Sequence, residues 1–209
     1  MARLLHIESC PRGDTASPFS LSKVFLKVYK EFHSSDTIEV MNLWKIDFPP
    51  AIGEAMEARY AEIDSHKWTS NNAEAWPMIG RYAEHFKSAD KYLITIPTWS
   101  FGIPYVLKEY IDVITQPELL IEFTPDGIVR GLVADRPACV LYGRGGCAGP
   151  GSGRDAMVFQ VSFMAGWLRL IGITHVYSVL EEAAGADPQR VREARGKAEK
   201  IATSIARSF

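Results

Sequence analysis

Residues 97–104 place two aromatic side chains, Trp99 and Phe101, in a short loop that begins and ends with proline. The loop lies between an apolar run and a helical pattern, where a short polar turn would be expected. Two roles are open for the rings: they cap the hydrophobic core, or they lie against a flat ligand. The second role is favoured for Trp99, because an indole N–H is costly to bury without a partner.

A second loop with binding chemistry, residues 9–19, is rich in Ser, Gly and Pro and leads directly into a helical pattern. Small polar side chains and free N–H groups at a helix N-terminus bind anions, phosphate in particular. The alternative is that Thr15 or Ser17 only caps the helix. The glycine spacing fits neither a Walker A loop nor G-x-G-x-x-G, which argues against ATP and classical dinucleotides in this loop.

The third loop, residues 142–153, contains six glycines in twelve residues. Glycine at this density lets the backbone approach a ligand closely and adopt positive φ. A merely flexible loop is the alternative, but the position directly after a buried strand favours binding.

The elements around these loops alternate between strand and helix. The strand candidates are residues 3–8, 37–41, 91–96, 138–142 and 175–179, and the helical patterns cover residues 20–32, 68–89, 104–116, 154–171 and 188–207. The first helix should bury the face formed by Leu21, Val24, Phe25, Val28 and Phe32. The alternation predicts an α/β fold: a doubly wound, flavodoxin-like parallel sheet of five strands, order 2-1-3-4-5, with helices on both faces and a single domain over 1–209.

In such a sheet, ligands bind beyond the carboxyl ends of the strands, where the strand order reverses. For order 2-1-3-4-5 this point lies between strands 1 and 3, so the three loops meet there. A flat aromatic ligand with a terminal phosphate fits all three. FMN is such a ligand, with its phosphate in the first loop and its isoalloxazine between the other two.

The composition excludes several classes of function. The chain has 209 residues and a net charge of −2, so neither nucleic acid nor a membrane is expected as a partner. Three cysteines and five histidines show no metal-ligand spacing, which indicates reduced thiols, no metal and a cytoplasmic location. His6 lies within a strand and is interpreted as a core histidine. The irregular segment 49–70 is a solvated excursion or a lid or dimer arm.

The order of motifs resembles the FMN-dependent NADH azoreductases, which are also quinone reductases. The shared pattern includes the opening 9–13, the loop 97–104 with the following 107–112, the run 123–133, Arg144 to Gly146, and 170–173. The family usually has Ser-Ser-Pro-Arg-Gly in the first stretch and Pro-Met-Tyr-Asn-Phe-x-Ile-Pro in the second. Here Cys10 replaces the second serine, Ala16-Ser17-Pro18 replaces Ser-x-Ser, and Ser100 replaces asparagine.

The resemblance implies an enzyme that passes electrons from NADH or NADPH through FMN to quinones and azo compounds, in ping-pong order, as a homodimer with two FMN sites. It implies no catalytic side chain. The implied FMN-binding residues are Ser9, Cys10, Ala16, Ser17, Pro18, Pro97, Thr98, Trp99, Ser100, Phe101, Gly143, Arg144, Gly145 and Gly146. The alternative is a non-catalytic flavodoxin-like electron carrier.

Aromatic residues at the carboxyl edge of the sheet also point to a dimer. One flavin cannot cover the aromatic surface of Trp99, Phe123 and Trp167 together. Exposed apolar patches usually mark partner surfaces.

Overall fold

The computed structural model of the chain describes residues 1–11, 17–46, 48, 70–133, 136–144, 159–182 and 187–209, without the side chains of 17–19, 70–75, 144 and 182. Within these ranges, no helix combines the length and the apolar character that a membrane span requires. Most of the predicted excursion at 49–70 lies outside the described residues.

Five parallel strands form the central sheet, and two short strands form a separate hairpin. The strands are β1 (Arg3–Glu8), β2 (Thr37–Asn42), β3 (Lys91–Pro97), β4 (Ile121–Phe123), β5 (Val129–Gly131), β6 (Ala138–Arg144) and β7 (Val176–Glu182). The sheet order is β2-β1-β3-β6-β7. This confirms the predicted order 2-1-3-4-5, because the hairpin β4–β5 does not join the sheet.

The sheet is covered on both faces, which explains the continuous apolar runs in β3 and β6. Successive side chains of a strand point to opposite faces. Tyr92, Ile94 and Ile96 therefore enter one core, whereas Leu93 enters the other. Both β3 faces are fully buried at these positions.

Five α-helices flank the sheet in the described part of the chain. They are α1 (Ser17–Phe32), α2 (Ser70–Lys87), α3 (Tyr105–Ile114), α4 (Gln160–Leu170) and α5 (Pro188–Ser208). Helices α2, α3 and α4 pack on the core that contains Ile94, and α1 and α5 pack on the core that contains Leu93. All five predicted helices are present, although residues 154–158 of the fourth prediction are not described.

The predicted buried face of α1 is wrong at one residue, Phe32. Leu21 and Phe25 are buried, but Phe32 is 57% exposed, and the guanidinium of Arg207 lies 5.4 Å from the centre of its ring. Tyr29 is buried in its place, because its hydroxyl donates a hydrogen bond to Asp36 at 2.7 Å. A buried tyrosine hydroxyl usually has such a partner.

The hairpin β4–β5 was not predicted, and it docks on the end of α4 by backbone contact. The Val133 N–H donates to the Ile171 carbonyl at 2.9 Å. A Cβ atom at Gly131 would overlap the backbone of Ile171 and Gly172, and Gly172 has a φ of +102°. Glycine is therefore required at both positions of this crossing.

Candidate functional site

The sheet register brings the ends of β1, β3 and β6 to one edge. Glu8 pairs with Thr95, and Pro97 pairs with Gly143. The predicted binding residues Ser9, Pro97 and Gly143 therefore lie at the same edge of the sheet, at the point where its order reverses. Strand β6 extends to Arg144, so Gly143 and Arg144 belong to the strand and not to the following loop.

Part of the predicted binding set falls outside what the structure describes. Ala16, Gly145 and Gly146 are not among the described residues. Ser17 and Pro18 form the first turn of α1, and of these two residues and Arg144 only the backbone is described.

Residues 99–102 form a tight turn at the carboxyl end of β3. The Trp99 N–H donates to the Gly102 carbonyl at 3.2 Å, and the Gly102 N–H donates to the Trp99 carbonyl at 2.8 Å. Ser100 and Phe101, the two central residues, have φ values of +46° and +68°. Positive φ at both central positions is the geometry of a type I′ turn, which strongly prefers Asn and Gly.

Both rings of this turn reach the surface. Trp99 is 37% exposed and Phe101 is 39% exposed. Each side chain is therefore partly exposed, as a ring that lies against a ligand would be. A strained backbone that presents aromatic rings to solvent is typical of a binding site.

Trp44 supports the turn from behind, a role that the sequence did not indicate. Its ring centroid lies 5.5 Å from that of Trp99 and 5.4 Å from that of Tyr105. Its indole N–H donates to the Ser9 carbonyl at 3.0 Å. Asn42 fixes its position, because the Asn42 side chain accepts from the Trp44 N–H and caps the short helix Leu43–Lys45.

Thr98 joins the ends of β3 and β6. Its backbone N–H and its Oγ1 each lie 2.9 Å from the carbonyl oxygen of Gly143, and Oγ1 also lies 2.9 Å from the Gln160 side-chain amide. Gln160 is fully buried at the start of α4. These contacts link the start of the second predicted loop to the start of the third.

Ser9 and Cys10 are buried at the end of β1. The Ser9 hydroxyl donates to the Thr95 carbonyl at 2.8 Å, and the Ser9 N–H approaches the same oxygen at 3.2 Å. Because its own carbonyl accepts from Trp44, the polar groups of Ser9 all have protein partners in this arrangement.

His6 forms a buried polar group with Thr95 and Glu8 below this edge. Its Nε2 lies 2.7 Å from Thr95 Oγ1, and its Nδ1 lies 3.6 Å from Glu8 Oε1. Burial lowers the pKa of His6 to about 3, so the ring is neutral at pH 7. Burial also raises the pKa of Glu8, against the opposing charges of Lys45 and Lys23. These properties match the predicted core role of His6.

Two cavities of the described chain are lined by residues outside the turn. A groove of about 700 Å³ runs between α3 and α4, and a polar cavity of about 900 Å³ lies between β2 and α2. Trp167 lines the groove but is only 5% exposed, and its indole N–H donates to Thr115 Oγ1 at 2.9 Å. The prediction of Trp167 as a surface aromatic is therefore wrong, whereas Phe123 is 62% exposed.

Comparison with known proteins identifies the family. A family model described as flavodoxin-like fold matches residues 2–202. FMN-dependent NADH:quinone oxidoreductase 2 of Pseudomonas syringae pv. tomato is 34% identical over 206 residues, which cover 97% of this chain and 98% of that protein. The chain belongs to this flavodoxin-like family of FMN-dependent NADH:quinone oxidoreductases.

Solved structures of the family have the same architecture. An azoreductase from Bacillus anthracis str. Sterne superposes with a TM-score of 0.88 at 26% identity, over 100% of both chains. An FMN-dependent NADH-azoreductase from Bacillus anthracis str. Ames Ancestor, solved in complex with FMN, superposes with a TM-score of 0.83 at 25% identity, over 99% of this chain and 100% of that one. The similarity to the family therefore extends over the whole chain.

Proposed function

We propose that this chain is an FMN-dependent oxidoreductase that transfers electrons from NADH or NADPH to quinones and azo compounds. The names of its full-length relatives support this function. The structural observation that carries it is the Trp99–Gly102 turn, which presents two rings at the switch point of the sheet.

The residues of this edge fit a flat, polar-rimmed ring. Within the described part of the chain, no acceptor receives the N–H of Ser100 or Phe101; we assign both as donors to the ring. We assign Pro97, Thr98, Trp99, Ser100 and Phe101 to the isoalloxazine and ribityl side. Cys10 and Ala16 to Pro18 would hold the phosphate, with Ser9 positioning that loop, and Gly143 to Gly146 would hold the pyrimidine edge.

Bound FMN would supply the redox chemistry, by accepting a hydride from NADH and returning two electrons to the second substrate. The chain's part is to bind, orient and exclude water. Trp99 and Phe101 provide the apolar walls, and the turn N–H groups orient the ring. We infer a ping-pong order, in which NAD⁺ leaves before a quinone or an azo compound enters the same space. No side chain is assigned as a catalytic acid, base or nucleophile.

We further propose a homodimer in the cytoplasm. Exposed apolar side chains support the dimer, since Phe123, Ile128 and Phe159 each expose about 60% of their surface (62%, 61% and 62%). The cysteine content supports the location, and the net charge of −2 gives no reason to expect nucleic acid or a membrane as a partner.

The purified protein tests this proposal directly. We expect a yellow protein that releases FMN and not FAD on denaturation, and that oxidises NADH rapidly when menadione is added. Parallel lines in double-reciprocal plots at several menadione concentrations would support the ping-pong order. A yellow protein that leaves NADH unoxidised would favour the electron carrier, and a colourless protein that binds no added FMN would refute the proposal.

A further inference from the structure

The start of helix α4 bonds to the strained turn and to the residue before it. The Phe159 N–H donates to the Phe101 carbonyl at 3.0 Å. The next residue, Gln160, places its amide 2.9 Å from Thr98 Oγ1, directly before the turn. The N-cap Phe159 and the first helical residue Gln160 therefore both bond to the segment 98–101, in which Ser100 and Phe101 have positive φ.

The hydrogen count at Thr98 identifies the direction of its bond to Gln160. Oγ1 lies 2.9 Å from both the Gly143 carbonyl and the Gln160 amide oxygen, but a hydroxyl has one hydrogen to donate. Both contacts are satisfied if the Gln160 amide, which has the same shape when its N and O exchange places, donates to Oγ1. Thr98 then donates to Gly143.

Packing alone does not account for a glutamine at this position. Gln160 is fully buried, and its second amide atom has no partner among the described residues. A buried polar atom without a partner is destabilising, and a methionine would fill the same volume without that cost. The bond to Thr98 is therefore the interaction that a glutamine supplies here and a methionine would not.

We propose that Gln160 is a positioning residue. Its amide, through Thr98, fixes the spacing between the aromatic turn and Gly143 at the end of β6. It acts on the cofactor site only through Thr98 and the turn. Its relevance to FMN rests on the function proposed above, whereas its effect on the turn does not.

Hydrogen exchange of the cofactor-free, full-length protein tests this role. In Gln160→Met, the Trp99 and Gly102 N–H groups should exchange about tenfold faster. Each of them donates to the carbonyl of the other residue, and the variant loses the network that holds this turn. Thr98→Val removes the hydroxyl and should have the same effect, without a further increase in the double variant. Gln116→Met is the matched control: Gln116 is also buried, and its amide donates to the Asp112 carbonyl at 2.7 Å.

The control should leave exchange at Trp99 and Gly102 unchanged. In the FMN-loaded protein, Gln160→Met should shift the flavin midpoint potential and weaken FMN binding, and Gln116→Met should do neither. Unchanged exchange at the turn in Gln160→Met, or an increase no larger at the turn than over the rest of the sheet, would overturn the inference. Wild-type protein that binds no FMN would refute the proposed function, while the exchange result would still decide the role of Gln160.

Discussion

The indole rings of Trp44 and Trp99 lie 5.5 Å apart, centroid to centroid, at an angle of 56°. Trp44 also donates its N–H to the Ser9 carbonyl, so this ring pair connects the segments that follow β1, β2 and β3. Trp99 is thus supported by Trp44, and 37% of its surface remains exposed.

Trp99→Ala should therefore weaken FMN binding more than it weakens the fold. A base stacked on an aromatic side chain gains about 1–3 kcal/mol, so we expect an affinity roughly 5- to 150-fold lower. Titration of FMN into the folded, cofactor-free variant measures this effect. Trp167→Phe is the control, because that ring is buried and its loss should lower the melting temperature with little change in FMN affinity. Unaltered affinity in Trp99→Ala together with a lowered melting temperature would assign the ring to the fold.

The sheet could be predicted because β3 and β6 are apolar on both faces. Such strands appear in the sequence as continuous apolar runs, which can be recognised without knowing the rest of the fold. The sequence predicted the start of α5 for a similarly local reason, since Asp187 caps the N–H of Gln189 at 2.9 Å. It did not predict the hairpin β4–β5, whose strands have three residues each and whose docking depends on Gly172, about forty residues further along the chain.

The site was predicted in part for the same physical reason. The position of the Trp99 turn follows from the end of a strand, which sequence can locate. The supports from Trp44 and Gln160 depend on contacts between distant segments, which no local pattern encodes. Trp167 was misplaced because its indole N–H finds the Thr115 hydroxyl, a partner visible only in three dimensions.

His6 should make the protein less stable in mild acid. In the unfolded chain a histidine binds a proton below about pH 6.5, whereas burial holds the pKa of His6 at about 3 in the folded state. The unfolded state then binds more protons, so stability is fully present above pH 6.5 and falls as the pH drops toward 3. Between pH 7 and pH 5 the loss should be about 2 kcal/mol.

Urea unfolding of wild type and His6→Gln at pH 7 and pH 5 measures this difference. The raised pKa of Glu8 acts in the opposite direction, but Glu8 is present in both proteins. Equal losses of stability in the two proteins would contradict the assignment to His6.

Asp36 should contribute far more to stability than an exposed carboxylate. It accepts hydrogen bonds from the Ala2 N–H and the Tyr29 hydroxyl, both at 2.7 Å, and pairs with Lys91 at 3.3 Å. The Ala2 N–H and then the Tyr29 hydroxyl lower the pKa of Asp36, so this contribution is present above about pH 4 and lost in acid.

Asp36→Asn should cost about 2–3 kcal/mol in the free energy of unfolding at pH 7. Asp112→Asn, which breaks an exposed ion pair with Lys108, should cost little. Similar losses for the two variants in chemical denaturation would argue against the buried network.

Gly131→Ala and Gly196→Ala should change stability in opposite directions. A methyl group at Gly131 overlaps the backbone of Ile171 and Gly172, so we expect a loss of about 2 kcal/mol or more. Gly196 lies within α5 with no heavy atom within 4 Å of an added Cβ, so alanine should stabilise by about 0.5–1 kcal/mol. Thermal unfolding of both variants tests the contrast, and a stabilised Gly131→Ala would disprove the close contact.

The proposed homodimer should sediment at about twice the chain mass of 23.3 kDa. Phe123→Arg places a charge on the exposed hairpin and should shift the protein toward monomer, because burying an arginine without a partner is unfavourable. Ile201→Arg, on the exposed side of α5, should leave the mass unchanged. A wild-type monomer that still reduces quinones would rule out the dimer as a requirement.

The left-handed conformations of Ser100 and Phe101 have a consequence for how this sequence can change over generations. Glycine at either position would relieve backbone strain and so be favoured under selection for heat tolerance alone. At position 101 the same change removes a ring from the surface. Lineages that no longer use this edge should therefore lose Phe101 early, and its retention in a heat-adapted descendant would indicate that the edge is still in use.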